Sequence, residues 1–149
     1  VSFSLDFDHP VFHDHSLEVS LDFANTSFVK EVSRARTFGF MHEVEYLRSR
    51  GLARGGSVDN AIVVDEYRIL NEDGLRYSDE FVRHKVLDLI GDFSLIGYDF
   101  IGSITAECPG HAMNSKIISK LMSNSDNFEI IQDEEKPRFF NQGYAVAAY

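Results

Sequence analysis

Apolar and polar residues alternate over Val1-Ser2-Phe3-Ser4-Leu5-Asp6-Phe7, the period-two pattern of a half-buried strand. A second strand is expected over 18–23, with Asp8-His9-Pro10 and His13-Asp14-His15 as turn and loop between them. Asn25, Thr26 or Ser27 can cap a short helix over 28–35, and Thr37-Phe38-Gly39-Phe40 breaks the helical pattern. Met41, Val44 and Leu47 recur at helical spacing, so a helix is expected over 41–50, ended by Gly51. Gly55-Gly56-Ser57 reads as a flexible turn, Ala61-Ile62-Val63-Val64 as a short buried strand, and 68–70 as its partner before the turn Asn71-Glu72-Asp73-Gly74. The longest periodic run predicts a helix over 79–96, acidic in its first turn and followed by Gly97. A strand over 100–106, a Cys108-Pro109-Gly110 loop, a helix over 111–122 and a strand over 128–131 follow, with a poorly patterned tail from Asp133. Strands and helices interleave without regular βαβ spacing, which predicts an α+β two-layer sandwich in a single domain.

Composition narrows the function classes. A chain of 149 residues with 44% hydrophobic content and thirteen Phe can bury a core of its own. Asp and Glu outnumber Lys and Arg by 24 to 14, which argues against nucleic acid as partner but leaves room for a nucleotide or sugar phosphate held by a few local donors. Cys108 is the single cysteine, so no intrachain disulfide can form and a reducing compartment, the cytoplasm, is expected. No apolar run approaches the ~18 residues of a membrane span, and no signal-peptide pattern is read. The strand alternation is already under way at Val1, and we read the chain as a piece of a longer polypeptide.

The chemistry concentrates on the 79–96 helix. His84 and Asp88 are four residues apart and share a helical face, an imidazole and a carboxylate that zinc accepts. Catalytic zinc usually takes three protein ligands, so a third is wanting. Asp92 extends the stripe by one more step, although such a stripe also suits a helix that faces water. His111 stands at a helix start after Pro109-Gly110; with Asp92 as partner it would favour the imidazolium, suited to general acid work, and the alternative is an exposed capping residue. His13 and His15 read as solvated loop residues, and His9 and His42 show no partner. Phe38 and Phe40 flank Gly39 as pocket wall or core, and Arg34 and Arg36 read as ion-pairing groups on a helix face. Gly55-Gly56 lacks the pattern of a phosphate loop.

Several segments in this order carry a resemblance: Ser33-Arg34-Ala35-Arg36-Thr37-Phe38-Gly39-Phe40, Gly55-Gly56-Ser57, Leu70-Asn71-Glu72-Asp73-Gly74-Leu75-Arg76, Asp79-Glu80-Phe81-Val82-Arg83-His84-Lys85, Asp88, Gly91-Asp92 and Gly110-His111-Ala112. The chain up to about Met122 resembles the C-terminal domain of UDP-3-O-acyl-N-acetylglucosamine deacetylase, the zinc enzyme of the committed step of lipid A synthesis in Gram-negative bacteria.

The resemblance implies that His84 and Asp88 are two Zn2+ ligands. The third ligand and the general-base Glu would lie in an N-terminal domain outside this chain, which would then hold half a site and be inactive alone. It further implies that Thr37 and zinc hold the oxyanion, that His111, kept positive by Asp92, protonates the leaving amine, and that Lys85 faces the nucleotide side. Phe7 matches an aromatic that contacts uracil, and Phe38 one that packs on the sugar. The segment over about 40–64 matches a βαβ insert that forms a passage for the substrate's acyl chain, lined by Phe40, Val44, Ala53, Ser57 and Val63. One position departs from the family pattern: Cys108 stands where a Lys or Arg usually lies near the substrate diphosphate. The alternative function, a non-catalytic binding domain of the same fold, is disfavoured because Thr37, His84, Lys85, Asp88, Asp92 and His111 occur together.

Overall fold

Phe3 sits at the centre of a three-stranded sheet in the computed structural model, which describes residues 1–131. Its strand β1 (Ser2–Ser4) pairs antiparallel with β2 (Glu18–Ser20) and parallel with β5 (Thr105–Glu107), so Phe3 lies opposite both Val19 and Ala106. Alternation turns Phe3 and Ala106 into the core and leaves Ser2, Ser4, Glu18, Ser20, Thr105 and Glu107 on the outer face.

The helices α3 (Glu80–Ser94) and α4 (His111–Met122) run side by side, and α3 packs on the inner face of this sheet. Phe81, Val82, Val86, Leu89 and Phe93 fall on one face of α3 and are buried, while the short α1 (Phe28–Glu31) precedes the buried Val32. Each such side chain contributes about 1.5–3 kcal/mol by leaving water. Phe12 joins this core to the aromatic cluster, with ring centroids 4.8 Å from Phe81, 5.0 Å from Phe7 and 6.1 Å from both Phe38 and Phe40.

A second, two-stranded sheet pairs β3 (Thr37–Phe40) parallel with β4 (Ala61–Val64), and α2 (Met41–Ser49) makes the crossover. The chain is therefore an α+β sandwich carrying a small βαβ unit. Asn71 closes the base of that unit: its amide donates to the carbonyls of Val58 and Ala61, and its Oδ1 accepts the Val63 N–H.

Several predicted elements differ in extent. The strands expected over 3–7, 18–23 and 100–106 pair only over Ser2–Ser4, Glu18–Ser20 and Thr105–Glu107. The helix expected over 28–35 stops at Glu31, and Ser33 then turns its hydroxyl onto the Val29 carbonyl. Residues 37–40, read as a break between helices, form β3; a Cβ added at Gly39 would make only an ordinary contact, with Val44 Cγ2 at 3.7 Å, so the strand does not depend on glycine there. The partner expected over 68–70 makes one isolated bridge, Ile69 to Val64. No strand forms over 128–131; instead Asn127 donates its amide to the Lys120 and Leu121 carbonyls and closes the end of α4. The tail from Asp133 lies outside the described residues, and among those described no helix is long and apolar enough to cross a membrane.

Candidate active site

One helix carries most of the chemistry. His84 on α3 places Nδ1 3.2 Å from the Ala35 carbonyl oxygen, which can only accept, so Nδ1 bears the proton. The Nε2 lone pair then faces Asp88 Oδ1 at 3.3 Å. Burial holds the imidazole pKa below its ordinary value and outweighs the opposing pull of Asp88, so the ring is neutral at pH 7. Two acceptors thus confront each other, an arrangement that a cation between them relieves. Ligands about 2.0–2.2 Å from a tetrahedral zinc stand about 3.4 Å apart, so this pair fits the ion in both donor type and spacing. Asp88 Oδ2 takes the Lys85 ammonium at 2.9 Å, and that ammonium lies 5.5 Å from the centre of the Phe38 ring. Among the described residues no third His, Cys, Asp or Glu joins the pair to complete a metal cluster.

One turn further, Asp92 meets His111 from the start of α4. The His111 Nδ1 stands 3.0 Å from Oδ1 and 2.8 Å from Oδ2. Asn114, buried and one turn along α4, donates its amide to Oδ2 at 2.7 Å. Burial pushes the Asp92 carboxyl up, but the hydrogen bonds from Asn114 and His111 and the nearby positive charges outweigh it, so its pKa lies below the ordinary carboxylate value. The couple orients the His111 ring and leaves that side chain open to solvent. Asn114 escaped the sequence reading; its position three residues after His111 was the available signal.

Thr37 opens β3 with an exposed side chain. Phe7 and Phe38 meet edge to face at 5.9 Å, and Phe38 stands in the same way on Phe81 at 5.1 Å. Of the residues assigned to the acyl passage, Phe40, Val44 and Val63 are half-buried in the βαβ unit, where Val63 lies opposite Gly39; Ala53 and Ser57 are exposed in the 51–60 loop. Ala53 holds a left-handed φ of 52° there, and Ser57 accepts the Asp59 N–H.

Three sequence readings need correction. Arg36 does not pair on a helix face: it is buried and forms a fork with Glu80, Nε to Oε1 at 2.9 Å and Nη2 to Oε2 at 3.0 Å. His9 and His42 do have partners, both on the Phe40 ring, with centroids at 4.9 and 5.8 Å. His15 stays in its loop but is half-buried, its ring set edge to face with Phe81 at 5.5 Å. Cys108 is exposed with a left-handed φ of 44°, and its sulfur accepts the Asp6 N–H at 2.8 Å.

Known proteins similar to this chain are sugar deacetylases by name. A sequence model of the LpxC family, UDP-3-O-acyl N-acetylglycosamine deacetylase, matches residues 1–123, and the chain belongs to that family. It is 60% identical over 136 residues to the UDP-3-O-acyl-N-acetylglucosamine deacetylase of Teredinibacter turnerae, a match that covers 91% of this chain and 45% of the relative. The protein of the same name from Saccharophagus degradans is 62% identical over 135 residues, with 91% and 45% covered. That of Alcanivorax borkumensis is 58% identical over 135 residues, with 91% and 44% covered. The chain thus spans less than half the length of the curated relatives it matches.

Proposed function

We propose that this chain is the zinc-binding and acyl-binding half of a cytoplasmic UDP-3-O-acyl-N-acetylglucosamine deacetylase, which removes the N-acetyl group in the committed step of lipid A synthesis. The observation that carries the reading is the confrontation of His84 Nε2 and Asp88 Oδ1 at 3.3 Å, with Nδ1 committed to Ala35. His84 and Asp88 would hold zinc together with a ligand from the remaining half of the enzyme, which would also bring the general base. Bound there, zinc would supply Lewis acidity toward the acetamide carbonyl and toward water.

The chain's own groups account for the other steps. The Thr37 hydroxyl donates to the oxygen that gains negative charge as the amide carbon becomes tetrahedral. His111 carries a proton on the ring nitrogen opposite Nδ1 and delivers it to the departing amine, while Asp92 balances its charge. Lys85, already beside Phe38, faces the nucleotide side of the substrate. Phe7 packs on the uracil and Phe38 on the sugar ring. Phe40, Val44, Ala53, Ser57 and Val63 line the acyl passage, where each buried methylene contributes about 0.8 kcal/mol to binding.

The test is zinc content and deacetylase activity of the chain alone and mixed with a matching N-terminal half. Activity and stoichiometric zinc only in the mixture are expected. No turnover from a folded mixture would sink the reading in favour of a non-catalytic binding domain.

A further inference from the structure

The three backbone positions ahead of Thr37 are each held by a side chain from α3 or from the turn before it. The Arg34 carbonyl accepts Arg76 Nη1 at 3.0 Å, the Ala35 carbonyl accepts His84 Nδ1 at 3.2 Å, and the Arg36 N–H donates to Glu80 Oε1 at 2.9 Å. Glu80 is fully buried and stands one helical turn before His84. Its Oε1 also takes Arg36 Nε at 2.9 Å; its Oε2 takes Arg36 Nη2 at 3.0 Å and the Arg76 N–H at 2.5 Å. The Arg36 guanidinium continues to the Gly74 and Val58 carbonyls at 2.8 and 3.3 Å.

A buried ion pair is weak evidence for stability, because a well-packed apolar pair often does as well. A fork of fixed length that also captures the backbone of its own partner does something an apolar pair cannot: it sets a distance and a register. Here the two ends of the fork are the residue before Thr37 and the residue four before His84.

We infer that Glu80 is a positioning residue: through Arg36 it fixes where the Thr37 hydroxyl stands relative to His84 and Asp88. The inference rests on the assignment of Thr37 as oxyanion donor made above. Aspartate at 80 keeps the charge but is one methylene shorter, so the entry to β3 must move toward α3 to keep the fork. Glutamine keeps the length but has one acceptor oxygen: with that oxygen on the Arg36 N–H and Nε, its NH2 faces two donors, Arg36 Nη2 and the Arg76 N–H, so half of the fork is lost.

The experiment uses a full-length enzyme carrying this segment, with kcat, KM and zinc content measured for Glu80→Asp, Glu80→Gln, Thr37→Val and the Glu80→Asp/Thr37→Val double variant. Glu80→Asp is expected to lower kcat about 30- to 100-fold, as a misplacement near 1 Å does, with KM within about threefold and zinc content unchanged. Glu80→Gln is expected to lower kcat as well, with zinc content unchanged, because its NH2 breaks the contacts to Arg36 Nη2 and the Arg76 N–H. On the Thr37→Val background Glu80→Asp should cost less than about twofold more, since the group it misplaces is gone. Wild-type kcat in folded Glu80→Asp, full multiplication of the two losses, or loss of zinc along with activity would each overturn the inference while leaving the role of Thr37 standing. Wild-type kcat in Thr37→Val would overturn that role and the inference with it. If Glu80→Asp does not fold, Arg36→Lys applies the same criteria from the other side, keeping charge and backbone N–H but losing the fork.

Discussion

His111 and Asp92 meet between α3 and α4 with Nδ1 within 3.0 Å of both carboxylate oxygens, and Asn114, one turn along the same helix as His111, donates to one of those oxygens. A carboxylate that takes donors from two residues of α4 is held facing the imidazole. Asp92→Asn in the full-length enzyme is therefore expected to lower kcat about 10²-fold, the scale of one lost acid–base contribution, with little change in KM. Asn114→Ala should cost less, because it loosens the carboxylate without removing it. Steady-state kinetics of both variants checks the order.

The same carboxylate links stability to pH. Its folded pKa lies below the value near 3.9 of an unfolded Asp, so the stabilisation is present above that value and is lost as pH falls through the folded pKa. Asp92→Asn should make the urea midpoint less dependent on pH below about 4. An unchanged pH dependence would mean that the contacts of Asn114 and His111 do not persist in solution.

His84→Ala is expected to abolish stoichiometric zinc binding by the complete enzyme, whereas Lys85→Ala should leave zinc in place and lower activity. Metal analysis after dialysis against a chelator separates the two. Zinc bound by the isolated chain without a complementary half would point to an additional local ligand, with His13 and His15 the first to replace.

Thr37→Val preserves the shape of an exposed strand residue and deletes one donor. A loss of about 10²–10³ in kcat is expected, as for a single oxyanion donor, with the melting temperature nearly unchanged. Phe81→Ala offers the opposite signature. It empties the site on which Phe12, Phe38 and His15 converge and should cost about 3–5 kcal/mol, read from chemical denaturation.

Cys108 occupies an exposed loop position three residues before His111, where the resemblance implies a basic residue near a substrate diphosphate. Cys108→Lys is expected to lower KM in the complete enzyme. A raised or unchanged KM would count against a phosphate-binding role for this position.

Legibility in the sequence followed the range of the interactions. The helices α3 and α4 were readable because their apolar spacing is local, and the His84–Asp88 pair because four residues make one turn. The strand β3 was not, since Gly39 between two aromatics signals a break and the strand's partner β4 lies beyond the whole of α2. Asn114 and the Arg36–Glu80 fork were missed for a related reason: their partners lie 22 and 44 positions away, and no periodicity records such a contact. The strand expected over 128–131 shows the reverse error, because apolar residues suggest pairing but a strand needs a neighbour to pair with.

His84, Lys85, Asp88 and Asp92 all ride on α3, and this makes the helix intolerant of length change. A single inserted residue between Glu80 and His84 would rotate everything downstream by about 100°, carrying all four groups off their face together and unseating the apolar stripe behind them. The penalty is smaller at the start of the 51–60 loop, around Leu52 and Ala53, where added residues extend an exposed turn ahead of the Val58 and Asp59 carbonyls that hold Arg36, Asn71 and Arg76. Changes of length are therefore tolerated better at the tip of the βαβ arm than anywhere along α3.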